Sequence, residues 1–342
     1  MSNKIQKLQK KYKRGKTDPE VYKLEQKGLK AKYKETLSSI YDGIVDRIFE
    51  IQEQEGYFDV IKQMGVYARL ISYSHNNQMI IHAHYEKMGI TPKVVRGAKA
   101  WWRAGRYVIK GSSGAQIYIP ILRKYTETDD DGIDTEYKYM SFKVGNVFDY
   151  SQTAPRWNYK GEVFDISQAD LLPDFRIQNL YRVDTLKLMY ALLNVAEDLG
   201  FTVRVDSLGL EKRGLNGFIH SKHIVLDDNL RREQFAHVLV HEIAHGLCEH
   251  QVDETVTAIA ELEAEMVAGV VHSVIGLEVK DSSSYYLSLK KKYTRDEFKK
   301  SLPKVMKAVN VILKELEKVG DKTIGELMSN LTPTSTIERK RS

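Results

Sequence analysis

Residues 231–248 read Arg231-Arg-Glu-Gln-Phe-Ala-His-Val-Leu-Val-His-Glu-Ile-Ala-His-Gly-Leu-Cys248. Apolar positions recur at helical spacing, and Asp227-Asp-Asn229 just upstream is a good capping context, so an amphipathic helix is expected. Inside it stands His241-Glu242-Ile-Ala-His245, an H-E-x-x-H sequence. Residues four apart on a helix lie one above the other, so both imidazoles project from one face and can grip one zinc ion. Glu242 would sit beside them to take a proton from metal-bound water and pass it to a leaving amine. A catalytic zinc site also needs a third protein ligand and an open position. The next expected helix, 254–276, offers Glu261-Leu-Glu-Ala-Glu265, where Glu261 and Glu265 share a face and Glu263 points elsewhere.

Working outward, a helix over 183–200, a strand at 201–205 and a hairpin of 217–220 with 223–226 precede the motif helix, and helices at 295–318 and 322–330 follow. This half is expected to be one domain, 183–332, ending in a polar tail, 333–342. A linker is expected at 154–182. Upstream, 37–89 shows three helical patterns, then 91–150 turns β-rich. Tyr107–Lys110, the turn Gly111-Ser-Ser-Gly114 and Ala115–Leu122 read as a hairpin, with further strands near 137–144 and 147–150. Six acids between Glu127 and Glu136 surround Gly132 and read as an exposed hairpin tip. The fold class is therefore α+β in two domains.

The 342 residues carry 52 Lys and Arg against 46 Asp and Glu, a net charge of +6. The first 40 residues alone hold 12 cations and four anions, so a Lys-rich arm over 1–37 is expected to be solvated or to contact nucleic acid. A hydrophobic content of 42% excludes a wholly disordered chain. One cysteine, Cys248, permits no intrachain disulfide, and no segment has the apolar length of a membrane span. A cytoplasmic protein with no membrane partner is the expectation.

Between Thr91 and Lys110 stand Lys93, Arg96, Lys99, Arg103, Arg106 and Lys110 without an acid, interleaved with Trp101, Trp102 and Tyr107. Cations follow a phosphate backbone while aromatic faces stack unpaired bases, the combination that single-stranded nucleic acid needs. The opposing reading makes the tryptophans core and the cations solvated.

The acidic sequence after the motif resembles zincins of the gluzincin type, in which a ligating glutamate is followed by a small residue and a second acid. That resemblance implies Glu261 as third zinc ligand and Glu265 as the carboxylate orienting a ligand histidine; a competing frame takes Glu265 as ligand with Ala268 as the small residue. Tyr73-Ser-His-Asn-Asn-Gln-Met-Ile-Ile81, Gly97-Ala-Lys-Ala-Trp101, Gly105-Arg-Tyr-Val-Ile-Lys-Gly111, Ile117-Tyr-Ile-Pro120 and Val147-Phe-Asp-Tyr-Ser-Gln-Thr153 resemble, in order and spacing, the N-terminal domain of the ArdC antirestriction family. The resemblance implies a single-stranded DNA-binding domain over 38–153, of helices and an antiparallel sheet, joined to a C-terminal zincin-like metallopeptidase. It also implies a phage, plasmid or conjugative element that protects incoming DNA. The pattern Glu261-Leu-Glu-Ala264 is similar to that of the ImmA and IrrE metallopeptidases, which cleave repressors. The protein substrate implied is thus a restriction or a repressor protein.

Overall fold

A computed structural model of the chain describes residues 19–54, 57–128, 134–157, 184–207, 216–250, 258–277 and 294–331. The start of the basic arm, the centre of the acidic tip, nearly all of the expected linker and the polar tail lie outside the described residues. The chain divides into two compact units, each discontinuous in sequence: Met1–Ile40 with Met79–Asp165, and Tyr41–Gln78 with Ile166–Ser342.

The helix α1 (Pro19–Gln54) belongs to the first unit as far as Ile40, and the helix α3 (His75–Glu86) from Met79 onward. Between these helices, α2 (Tyr57–Ala68) belongs to the second unit; after them the first unit continues with β1 (Val95–Gly97), the short α4 (Ala98–Arg103), β2 (Arg106–Val108), β3 (Ala115–Thr128), β4 (Asp134–Asp149) and β5 (Thr153–Pro155). The sheet is antiparallel in the order β1-β4-β3. The hairpin expected from Tyr107 to Leu122 does not form. Instead β3 pairs with β4 from Ala115 opposite Val147 to Thr128 opposite Asp134, and β2 pairs with β5. The competition is decided at Gln152: its carbonyl accepts from the Ile109 N–H (2.9 Å) and its side-chain amide donates to the Ser113 carbonyl (2.7 Å). These bonds turn the Gly111–Gly114 segment toward the closing strand, leaving β3 to the longer ladder. Tyr33 of α1 packs on Tyr118 and Phe142 of the sheet, with ring centroids 4.3 and 6.2 Å apart.

The second unit contains α2, α5 (Thr185–Asp198), β6 (Thr202–Asp206), β7 (Gly217–His220), β8 (His223–Asp227), α6 (Arg232–Leu247), α7 (Ala258–Ile275), α8 (Arg295–Val319) and α9 (Ile324–Asn330). Strand order is β6-β8-β7, with β6 parallel and β7 antiparallel to β8. Helix α7 is buried on every side from Leu262 through His272, its glutamates Glu263 and Glu265 included, and packs among α2, α6 and α8. The Asp227–Asn229 segment does not cap α6. Asp227 accepts from the Asn229 N–H and side chain at 2.9 Å, closing a turn, and the helix starts at Arg231, whose N–H is taken by Gln234 Oε1 (3.2 Å). Among the described residues no helix is long and apolar enough to cross a membrane.

Candidate metal centre and nucleic-acid interface

His241 and His245 lie on α6, Glu261 and Glu265 on α7, and the packing of these two helices decides what meets. Glu261 reaches both imidazoles: its carboxylate is 3.4 Å from His241 Nε2 and 3.5 Å from His245 Nε2, and the two Nε2 atoms are 3.0 Å apart. Donors held tetrahedrally at zinc distances of about 2.0–2.1 Å are roughly 3.3–3.4 Å from one another. Glu261 makes these two approaches with different oxygens, Oε2 to His241 and Oε1 to His245, so the carboxylate straddles the imidazole pair at about that spacing, and the chemistry of two nitrogens and one carboxylate fits a divalent metal ion. Glu265 takes the opposite edge of His241, with Oε2 3.4 Å from Nδ1, and is also 3.2 Å from His237 Nε2. Glu261 thus lies against both imidazoles, and Glu265 behind the His241 ring. His237, in turn, stacks on the buried His272 at 5.3 Å between centroids.

The electrostatics are steep because the cleft floor is buried. Burial opposes the His241 imidazolium, but hydrogen bonds to Glu261 and Glu265 outweigh it and raise its pKa to about 10. Burial and the charge of His241 lower His245 to about 4. Glu242 is pushed up to about 7 by burial, with the cation at His241 opposing and Glu261 adding to the rise. A carboxyl poised there can both take and return a proton near neutral pH. Glu261 keeps 23% of its side chain exposed, so solvent reaches the donor cluster from its side.

Two residues were missed by the sequence reading. His250 and Glu263 form a second layer behind His245, with Glu263 turned toward His250 at 2.8 Å. The only sequence signal was the alternation of three glutamates at 261, 263 and 265.

In the other unit, residues 93–110 are sorted by burial. Lys93, Lys99, Trp102, Arg103, Tyr107 and Lys110 are exposed, with Trp102 at 56% and Tyr107 at 44%. Trp101 is different: it is fully buried, and its Nε1 donates to the Phe148 carbonyl at 2.9 Å. Its placement among the base-stacking residues is corrected to a core position, since a stacked base cannot reach it. Arg96 sits over the Trp101 ring at 5.4 Å. Arg106 is half-buried and engaged: it donates to Thr153 Oγ1 (2.7 Å) and to the Thr153 carbonyl (2.9 Å), and lies over the Tyr150 ring at 4.1 Å. Arg156 covers the Trp102 ring at 3.5 Å, and Trp157 beside it is 65% exposed. Sequence reasoning missed both, because they follow the closing motif rather than the basic run.

The closing Val147–Thr153 motif is a clasp. Asp149 accepts from the N–H groups of Lys93 (2.9 Å), Val94 (3.3 Å) and Ser151 (2.9 Å). Its own N–H is 2.8 Å from the Tyr85 hydroxyl, which stands 2.7 Å from Gln152 Oε1 and 3.1 Å from the Val147 carbonyl. Buried polar groups so fully bonded fix backbone geometry.

Residues 196–305 match the family model of the IrrE N-terminal-like domain, Peptidase M78. Two solved structures of antirestriction ArdC protein from the R388 plasmid, one metal-free and one Mn(II)-bound, are similar to the chain at 14% identity and a TM-score of 0.39. Each likeness covers 81% of this chain, and 98% and 97% of theirs. No curated protein matches the sequence at a significant level. The match over residues 196–305 agrees with the expected resemblance of this part of the chain to the IrrE metallopeptidases.

Proposed function

We propose that this chain is an ArdC-like antirestriction or DNA-protection protein. It would bind single-stranded DNA through the exposed part of residues 93–110 and hydrolyse a protein substrate at a zinc site held by His241, His245 and Glu261. One observation carries the hydrolytic half: two imidazole nitrogens on one helix are straddled by a carboxylate from the next at 3.4 and 3.5 Å, with a buried carboxyl, Glu242, beside them whose pKa is pushed up to about 7. A bound zinc ion supplies a water acidified to a pKa of about 7 and polarises the scissile carbonyl. With the ion bound, Glu242 would be placed to accept a proton from that water and return it to the leaving amine. Glu265 holds the Nδ1 edge of His241, so that its Nε2 faces the donor cluster. Glu261 and the two imidazoles are fixed by packing before any ligand arrives, which limits the reorganisation that binding demands.

For the DNA half, Trp102 and Tyr107 offer exposed faces, and Lys93, Lys99, Arg103 and Lys110 offer charge along the same segment. Arg156 holds the Trp102 ring by its one face, leaving the other for a base.

Glu242→Gln tests the reading. The variant should keep its metal and lose protection in a phage or plasmid transfer assay; protection that survives would rule out hydrolysis as the mechanism. The match of residues 196–305 to the IrrE N-terminal-like model favours a second reading, a peptidase acting on a repressor. In that case Glu242→Gln would leave the repressor intact while single-stranded DNA binding persists.

A further inference from the structure

His245 is held from behind by two groups that the hydrolytic reading does not use. Its Nδ1 is 2.8 Å from His250 Nδ1, and His250 Nε2 is 2.8 Å from Glu263 Oε2. All three side chains are buried, at 7%, 8% and 4% exposure, and Lys304 Nζ stands 3.6 Å from the same Glu263 oxygen.

The order of these contacts fixes where the protons are. An ionised carboxylate only accepts, so the hydrogen in the Glu263 contact belongs to His250 Nε2. A neutral imidazole with its hydrogen on Nε2 has an acceptor at Nδ1, so the hydrogen in the His contact belongs to His245 Nδ1. That leaves a lone pair on His245 Nε2, directed at the cluster shared with His241 and Glu261. Each ligand histidine then has its own carboxylate: Glu265 acts on His241 directly, and Glu263 acts on His245 through one intervening ring.

The backbone puts His250 there deliberately. Glu249 adopts a left-handed conformation (φ 58), the Glu249 N–H bonds to the Gly246 carbonyl (3.3 Å), and the His250 N–H bonds to the His245 carbonyl (3.1 Å). This pair of bonds is the Schellman closure of a helix. It folds the chain back so that residue 250 lies against residue 245, at a position where glycine is the usual occupant and a side-chain-bearing residue is strained.

We infer that His250 and Glu263 are positioning residues that lock His245 in the tautomer able to ligate a metal, through a carboxylate–imidazole–imidazole relay. The inference rests on the metal-site reading above. A competing use of the same atoms exists, because Cys248, His250 and Glu263 also bring three donor atoms within 4.8 Å of one another. A second ion there would take the His250 nitrogen that Glu263 already occupies and would face the Lys304 ammonium.

The test uses the metal-free full chain and measures zinc affinity by competition with a chromophoric chelator, with cobalt as a spectroscopic substitute. Wild type should bind one equivalent. His250→Gln keeps a donor toward Glu263 but offers nothing at the Nδ1 position, and its Kd should rise 10- to 100-fold, the usual cost of losing an outer partner of a ligand histidine. His250→Asn places a carbonyl oxygen where Nδ1 stood and should stay within about threefold of wild type, since the acceptor is kept. Glu263→Gln, which keeps an acceptor but not the charge, should fall between them. Nitrogen-15 spectra of the side chains should show His245 protonated at Nδ1 in wild type and not in His250→Gln. Equal affinity for His250→Gln and wild type, or equal loss in both His250 variants, overturns the relay. So does a second cobalt equivalent with a thiolate charge-transfer band that vanishes in Cys248→Ala. A wild-type chain that binds no metal overturns the relay and the hydrolytic reading together, whereas the other negative results leave that reading standing.

Discussion

Loading the site with metal should expel at least one proton per ion, and the count can be derived group by group. In the metal-free site at pH 8.5, His241 is protonated, because Glu261 and Glu265 overcome its burial and lift its pKa to about 10. Glu242, pushed up to about 7 by burial, is ionised at that pH, and His245, lowered to about 4 by burial and by the His241 charge, is neutral. A ligand nitrogen must be unprotonated, so the His241 proton has to leave, and a bound water of pKa about 7 would give up a second at this pH. At 1.36 kcal/mol per pH unit, displacing the His241 proton 1.5 units below its pKa costs about 2 kcal/mol, roughly a 30-fold weakening of apparent affinity. Affinity should therefore strengthen at least tenfold per pH unit between 8 and 9.5. Titration calorimetry in two buffers of different ionisation enthalpy reads the proton count directly. A count near zero, or affinity that stays flat over that range, would refute the account, and Glu265→Gln should lower the count because it removes one of the two anions holding the proton. The same shifts set the stability of the metal-free protein. The raised His241 pKa gives stability that is complete below about 6.5 and is lost as pH rises through about 10. Glu265 is opposed by burial but held down to about 2 by hydrogen bonds from His237 and His241, so its contribution is present above about 4.5 and lost as pH falls through about 2.

Gly246→Ala should destabilise the protein by about 1–2 kcal/mol, because a Cβ would stand 2.4 Å from Phe201 Cε1 and the overpacking exceeds the helical gain; a raised melting temperature would contradict this. Trp102→Ala should weaken single-stranded oligonucleotide binding by the roughly 1–3 kcal/mol of one stacked base without changing the unfolding midpoint. Trp101→Ala should do the reverse, costing about 3–5 kcal/mol of stability, and a stable Trp101→Ala that fails to bind would sink the assignment of that ring to the core. Tyr85→Phe removes the hydroxyl that bridges Asp149, Gln152 and Val147, and urea unfolding should show a loss of about 2–3 kcal/mol.

Local pattern was legible where one element suffices to define it. The helix carrying His241 and His245 follows from apolar spacing, and the pairing of two imidazoles follows from that helix alone. The choice between Glu261 and Glu265 could not be made this way, since both lie on the same face of α7 and only its packing against α6 shows which carboxylate lies between the imidazoles. The hairpin expected at Tyr107–Leu122 failed for a similar reason. Its turn residues are real, but Gln152, far along the chain, supplies the bonds that redirect them. In the basic run, composition could not separate Trp101 from Trp102, because adjacent residues on a helix point about 100° apart and nothing in a six-residue segment says which of the two faces inward. Nor could it reveal that Arg106 is committed to Thr153 and Tyr150. His250 lay beyond the helix end, where a left-handed Glu249 does what periodicity does not anticipate.

The interleaving of the two units has a temporal side during synthesis. Helix α2 buries Ile61, Met64 and Tyr67 in the second unit and packs on α7, which begins at Ala258, 190 residues after the last residue of α2, Ala68. At translation rates of roughly 5–20 residues per second, that apolar face waits about 10–40 s for its neighbour. The first unit's last residue, Asp165, leaves the ribosome well before then. A nascent chain stalled between Asp165 and Ala258 should accordingly present the α2 face to chaperones, and one stalled after Ile275 should no longer do so.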